Sequence, residues 1–248
     1  MQKIQSVHPV SAALRILCGM VWMTILTIPF VVITPIFVAS RTTRVRIGNL
    51  YGKLLGSAIT WLVGARVVGL DKTKIDNAKP AIYIANHASS LDMFLGMWLC
   101  PYGGVGIAKQ EITRIPVFGL AYKLSGHLLL DRGNKERAIA SMDLLVKVVK
   151  KHDLSIWLWP EGTRSRQGEL LPFKKGFVHL AIATGLPIVP IVTHNAPRIW
   201  PVGTFRFSPG EVQVEVLDPI DTTGWSVNNL DQHVAQVRDL YCDALDVS

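Results

Sequence analysis

The feature that most constrains the fold is an alternation of two hydrophobic rhythms from about residue 80 onward. Short runs rich in apolar and β-branched residues occupy positions 81–85, 128–130, 154–159, 188–193 and 212–217, each broken by polar, Gly or Pro residues. Longer stretches with helical spacing lie between and after them: 91–98, 138–149 (Ala138, Ile139, Met142, Leu145, Val146 and Val149 on one face), 173–183 and 230–245. Runs of that length fit buried strands, and the spacing between them fits helices covering a sheet. The expected fold is therefore α/β, a largely parallel sheet flanked by helices. In such sheets ligands gather beyond the carboxyl ends of the strands.

The N-terminal third reads differently. No charged side chain occurs in residues 16–40, while Arg15 precedes the run and Arg41, Arg44 and Arg46 follow it. About 25 uncharged residues suffice to cross a bilayer of about 30 Å. Pro29 and Pro35 interrupt the helical ladder, and both flanks are positive, so a bent segment returning to the same face fits better than a straight span. Residues 51–70 are expected to form an amphipathic helix, lying in the headgroup layer or packed on the body. The polar stretch 71–79 ending at Pro80 is the expected boundary between an N-terminal membrane-associated helical segment, 1–70, and a catalytic domain, 71–248.

Composition narrows the partners. Hydrophobic residues make up 49% and charged residues 18% of the 248, with a net charge of +8, so an anionic partner is expected. The basic residues lack the interleaved aromatics of a nucleic-acid binder, so no nucleic acid is expected. Cys18, Cys100 and Cys242 lie far apart with no CxxC or His-rich spacing, so neither a disulfide framework nor a metal site is expected. There is no GxSxG elbow and no GxxxxGK[ST] phosphate loop.

Three groups of polar residues fall just after expected strands. His87 follows 81–85, with Asp92 five residues on and Ser89 or Ser90 as caps of the next helix. Arg132 follows 128–130. Glu161, Gly162, Thr163 and Arg164 follow 154–159, with Lys109 after a brief apolar run at 105–108. A histidine beside a carboxylate can accept a hydroxyl proton, and arginine can pair with phosphate through two parallel hydrogen bonds. Taken singly, each also fits an ordinary loop residue.

Together, Asn86-His87-Ala88-Ser89-Ser90-Leu91-Asp92 resembles the N-H-x-S-x-x-D block of the glycerolipid acyltransferases. Lys109-Gln110-Glu111, Pro116-Val117-Phe118-Gly119 and Asp131-Arg132 resemble the second block, residues 160–165 the third and residues 188–192 the fourth. Trp159 stands where the family's third block commonly has phenylalanine. The closest subgroup is the 1-acyl-glycerol-3-phosphate acyltransferases.

The resemblance implies transfer of an acyl chain from acyl-CoA or acyl-carrier protein to the sn-2 hydroxyl of lysophosphatidate, giving phosphatidate, with no cofactor and no metal. It implies His87 as general base, Asp92 as its orienting partner, and Glu161, Gly162, Thr163 and Arg164, with Lys109 and Arg132, as acceptor-binding residues. The implied setting is a bilayer with anionic lipids, at the cytoplasmic face of the cell (inner) membrane. Another lysolipid acceptor, such as a lyso-ornithine lipid, remains open, as do thioester hydrolysis and non-enzymatic lipid binding.

Overall fold

The computed structural model describes residues 7–114, 118–131 and 135–247. Among these, seven strands form one sheet: β1 (Ala65–Val68), β2 (Ile82–Ala85), β3 (Gly104–Lys109), β4 (Leu128–Leu130), β5 (Ser155–Leu158), β6 (Ile188–His194) and β7 (Gly210–Val216), in the order β1-β7-β6-β2-β5-β3-β4. Every pairing is parallel except β6 with β7. The expected α/β architecture with a largely parallel sheet is what the chain adopts.

Burial explains the sequence rhythm. β2 is central and buried on both faces, so it reads as an unbroken apolar run. Ile82 and Ile84 pack with Ile156, Phe177 and Tyr241 on one face; Tyr83 and Ala85 pack with Leu91, Leu95 and Trp157 on the other. β7 covers one face only, and Val212, Val214 and Val216 alternate inward with Glu211, Gln213 and Glu215. In β6, Pro190 removes a backbone donor from an interior strand. One residue on, the buried Tyr241 hydroxyl donates to the Ile84 carbonyl at 2.6 Å and accepts from the Ile191 N–H at 3.2 Å, bridging β2 and β6.

The helices of the domain are α3 (Lys72–Asn77), α4 (Asp92–Leu99), α5 (Phe118–Leu124), α6 (Lys135–His152), α7 (Gly176–Thr184), α8 (Ala196–Ile199) and α9 (Leu230–Leu245). Ahead of them, α1 (Pro9–Ile33) is long and apolar enough to cross a membrane once its 3-10 turn, Thr34–Phe37, is included. The chain then reverses into α2 (Arg41–Leu62). The Arg15 guanidinium donates to the Leu62 carbonyl, the Trp22 indole to the Leu54 carbonyl, and the Thr27 hydroxyl bonds that of Tyr51, so α1 and α2 run antiparallel.

Here the structure corrects the expected helix over 51–70: it stops at Leu62, and Ala65–Val68 is strand β1, paired with β7. The sheet thus begins before residue 70. α2 also crosses α4 closely, through glycines spaced by four on one face. A methyl group on Gly56 would stand 2.3 Å from the Phe94 carbonyl oxygen, and one on Gly52 would stand 3.1 Å from that of Met97. Only glycine admits so close an approach, and it fixes α2 against the helix that begins at Asp92.

Candidate active site

The site is built where β2 ends. Asn86 prolongs the β2–β6 ladder with its side chain, donating to the Thr193 carbonyl at 3.0 Å and accepting from the Thr193 N–H at 2.8 Å. The chain then turns and presents His87. Its backbone is held on both sides by the loop after β5: the His87 N–H donates to Glu161 Oε1 at 2.6 Å, and its carbonyl accepts from the Ser165 N–H at 2.9 Å. Its ring stacks on the Trp159 indole, centroids 4.5 Å apart and planes within 17°.

His87 Nδ1 lies 3.1 Å from Asp92 Oδ2. The same oxygen accepts the N–H groups of Ala88 and Ser89, each at 2.7 Å, and Asp92 is only 4% exposed. A carboxylate oxygen collecting N–H donors is an acceptor, which assigns the imidazole proton to Nδ1 and leaves the Nε2 lone pair free. Nε2 has no protein partner among the described residues.

The serines brace the turn. Ser89, fully buried, donates from Oγ to the Trp200 carbonyl at 2.7 Å and accepts from the Leu91 N–H at 3.0 Å; Ser90 donates to the Pro201 carbonyl. Neither caps α4 as expected, because α4 starts directly at Asp92 and its first N–H groups receive no side-chain acceptor.

The loop after β5 splits its functional groups between inside and outside. Glu161, expected to contact the acceptor, is 1% exposed and turned inward, with Oε1 on the His87 N–H and Oε2 on the Leu171 N–H at 3.0 Å. Burial pushes its carboxyl up to about 7, partly offset by those two donors. Gly162 adopts φ +70°, which lets the chain reverse so that Thr163 and Arg164 emerge into solvent. Arg164 forms no ion pair or hydrogen bond with the described residues, and its neighbour Ser165 is bonded to His87. The exposed guanidinium thus belongs to the loop that holds the His87 backbone, with no counter-charge among the described residues.

Lys109 is exposed at the end of β3, at the same sheet edge but two strands from His87, about 10 Å across at the usual strand spacing. Arg132, Pro116 and Val117 lie outside the described residues.

Next to Trp159 is a largely apolar cavity of ≈140 Å³, lined among others by Phe30, Tyr51, Met93, Met97, Trp157 and Trp159. Its few ionisable walls are neutral. Burial pushes His127 down to about 4, with its Nδ1 accepting from the Gly106 N–H, and pushes the Cys100 thiol up to about 12. Gly96 keeps the wall open: a methyl group there would meet Trp159 at 2.8 Å and the Trp157 indole nitrogen at 2.9 Å. Sequence reasoning missed the Trp159 platform, the Asn86 clamp and the Gly48, Gly52 and Gly56 stripe. Only the stripe carries a local signal, its spacing of four.

A largely parallel sheet holding a carboxylate-oriented imidazole at its carboxyl edge, with an exposed arginine in the loop that braces it and an apolar cavity behind Trp159, defines an α/β enzyme equipped to activate a hydroxyl near an acyl group. The acyltransferase family model matches residues 66–194, and the chain belongs to that family. Among its relatives is a 1-acyl-sn-glycerol-3-phosphate acyltransferase from Limnanthes douglasii, 45% identical over 207 residues, covering 83% of this chain and 72% of that one. Another of the same name, from Escherichia coli, is 36% identical over 193 residues, covering 78% and 76%. The crystal structure of the 1-acyl-sn-glycerophosphate (LPA) acyltransferase from Thermotoga maritima matches the fold with a TM-score of 0.70 at 24% identity, covering 91% of this chain and 94% of that one.

Proposed function

We propose that the protein acylates the sn-2 hydroxyl of 1-acyl-glycerol-3-phosphate from an acyl thioester, releasing phosphatidate and a free thiol. The observation that carries this reading is the free Nε2 of His87, backed through Nδ1 by the buried Asp92. The names of the relatives supply the substrate.

In this reading Nε2 takes the proton of the acceptor hydroxyl as its oxygen attacks the thioester carbonyl. Asp92 stabilises the imidazolium and holds its orientation. Collapse of the tetrahedral intermediate breaks the C–S bond, and the imidazolium returns the proton to the departing thiolate of CoA or acyl-carrier protein. No acyl-enzyme is needed, in keeping with the burial of Ser89, and the scheme uses no metal or cofactor. Arg164, with Thr163 and the Gly162 turn, pairs with the acceptor phosphate; Lys109 adds positive charge along the same edge, and Arg132 is assigned to acceptor binding on the family resemblance alone. Glu161 acts by positioning His87. The apolar cavity beside Trp159 receives an acyl chain.

The bilayer is where both lipids reside, and α1 supports a monotopic arrangement there. Val10, Leu14, Leu17, Val21, Ile25, Ile28, Val32 and Ile36 are exposed at spacings of three and four, one stripe along its whole length, while its other side packs on α2. A spanning α1 would pull α2, and with it α4, into the hydrocarbon. A hairpin lying in one leaflet, at the cytoplasmic face of the cell membrane, instead leaves the sheet edge at the headgroups.

The test is a competition between lysophosphatidate and a phosphate-free lysolipid, with acyl-CoA and acyl-carrier protein supplied in turn. Preference for lysophosphatidate is expected with either donor. Faster acylation of the phosphate-free lipid would overturn the acceptor assignment, and fatty-acid release without any lysolipid would indicate a hydrolase.

A further inference from the structure

The positive charge of this chain is not evenly spread. The first 70 residues hold seven Lys and Arg and no Asp or Glu, so nearly all of the net charge of +8 sits there. Three of these cations, Arg41, Arg44 and Arg46, follow the turn between α1 and α2; Arg46 is exposed and Arg41 half-buried, while Arg44 turns inward and donates to the Leu124 carbonyl at 3.2 Å. That turn leaves Ile36 and Val38 bare, at 74% and 71% exposure.

A distant part of the fold brings more cations to the same place. Thr42 Oγ1 lies 3.3 Å from His152 Nδ1, which brings the end of α6 to the first turn of α2. Lys147, Lys150 and Lys151 are exposed on those turns, and Leu144, also exposed, shares a face with Lys147 and Lys151 at i, i+3 and i+7. No carboxylate occurs between Leu144 and His152. None of the three lysines, nor Arg46, has an ion-pair partner among the described residues. The catalytic scheme uses none of them: α6 runs back from β4, so its basic end lies at the edge of the sheet opposite His87.

We propose that the end of α6 and the start of α2 form one cationic face that docks on anionic phospholipid headgroups, and that this docking tightens as phosphatidate accumulates. The inference rests on the acyltransferase reading for the identity of the product. Bare apolar side chains beside the cations fit a lipid surface, where the hydrocarbon enters the bilayer while the cations meet phosphate. They fit a polynucleotide or an acidic protein less well, since neither offers a place for Ile36 and Val38. The consequence is regulatory. Lysophosphatidate and phosphatidate are both anionic, so the enzyme is held most firmly where its substrate and product are concentrated.

The test uses the full chain and its K147Q/K150Q/K151Q variant, sedimented with phosphatidylcholine vesicles and with vesicles doped with phosphatidate. Both proteins are expected to bind undoped vesicles equally and to turn over lysophosphatidate in neutral detergent equally. On doped vesicles the wild type gains affinity, and the variant falls short of it by on the order of 10²-fold for three lysines at the surface. Added salt removes the wild-type gain, and K147R/K150R/K151R, which keeps the charge, retains it. A glutamine variant that responds to phosphatidate as the wild type does overturns the proposal, as does loss of its activity in neutral detergent, which would move the lysines into the acceptor site. Failure of the wild type to bind undoped vesicles would instead count against the hairpin as an apolar anchor, leaving the charge response to decide this proposal.

Discussion

Replacing Glu161 by glutamine separates positioning from binding. The carboxylate serves two buried donors, the His87 N–H at 2.6 Å and the Leu171 N–H at 3.0 Å. Glutamine keeps one acceptor oxygen and turns an NH₂ toward the other donor, leaving a buried N–H unpaired at a cost of about 1–3 kcal/mol. Removing the charge works the other way. Burial raises this carboxyl from 4.5 to about 7, so folding favours its protonated form. That contribution is complete below about pH 4.5 and is lost as pH rises to about 7, amounting to about 3 kcal/mol. At neutral pH the two effects offset each other, so overall stability is a poor readout there. Turnover is a sharp one, because a shift of about 1 Å in the His87 backbone can cost up to about 10²-fold in rate. Steady-state kinetics of E161Q should show kcat reduced about 10- to 100-fold with KM for lysophosphatidate little changed. Denaturant unfolding should show the loss of stability between about pH 4.5 and about pH 7 in the wild type and its absence in the variant. A variant with unchanged kcat and a raised KM would refute the reasoning and return Glu161 to the acceptor-binding role read from the sequence.

Two other substitutions probe the surroundings. Arg164→Gln removes the unpaired guanidinium, and since a charge-assisted bond to phosphate contributes about 1.5–3 kcal/mol, KM for lysophosphatidate should rise about 10- to 100-fold while kcat changes less; an unchanged KM would place the phosphate elsewhere. Gly56→Ala sets a methyl group 2.3 Å from the Phe94 carbonyl oxygen, so α2 must move off α4 at a cost of about 1–3 kcal/mol. Thermal unfolding should show a lower midpoint with reduced activity, and an unaltered midpoint would mean the two helices are not tightly coupled.

How much of this was legible in the sequence depended on how local its cause was. β2 and β6 announce themselves because burial on both faces demands apolar residues throughout. His87 and Asp92 were legible as a pair because one turn of five residues brings them together. β1 was hidden: Ala65–Val68 contains an exposed Arg66, lies two residues after an amphipathic helix, and becomes a strand by pairing with β7, some 145 residues downstream, where Arg66 also meets Glu211. Glu161 was placed in the correct loop but facing the wrong way. Its direction is set by N–H groups 74 and 10 residues away, which no local pattern encodes. The N-terminal hydrophobic run suggested a bent segment; α1 instead continues as one helix through Pro29, and the chain reverses only at the end of the run, after Pro35. What the run could not show was that the helix after it, α2, is pressed by glycines against the helix bearing Asp92.

The most direct measurement of the central claim is thiol release from an acyl thioester, with and without lysophosphatidate, by purified wild type and His87→Ala. The account predicts lysophosphatidate-dependent release by the wild type. It also predicts a loss of about 10²-fold or more in the variant, with vesicle binding retained. Release at the wild-type rate by His87→Ala would contradict it.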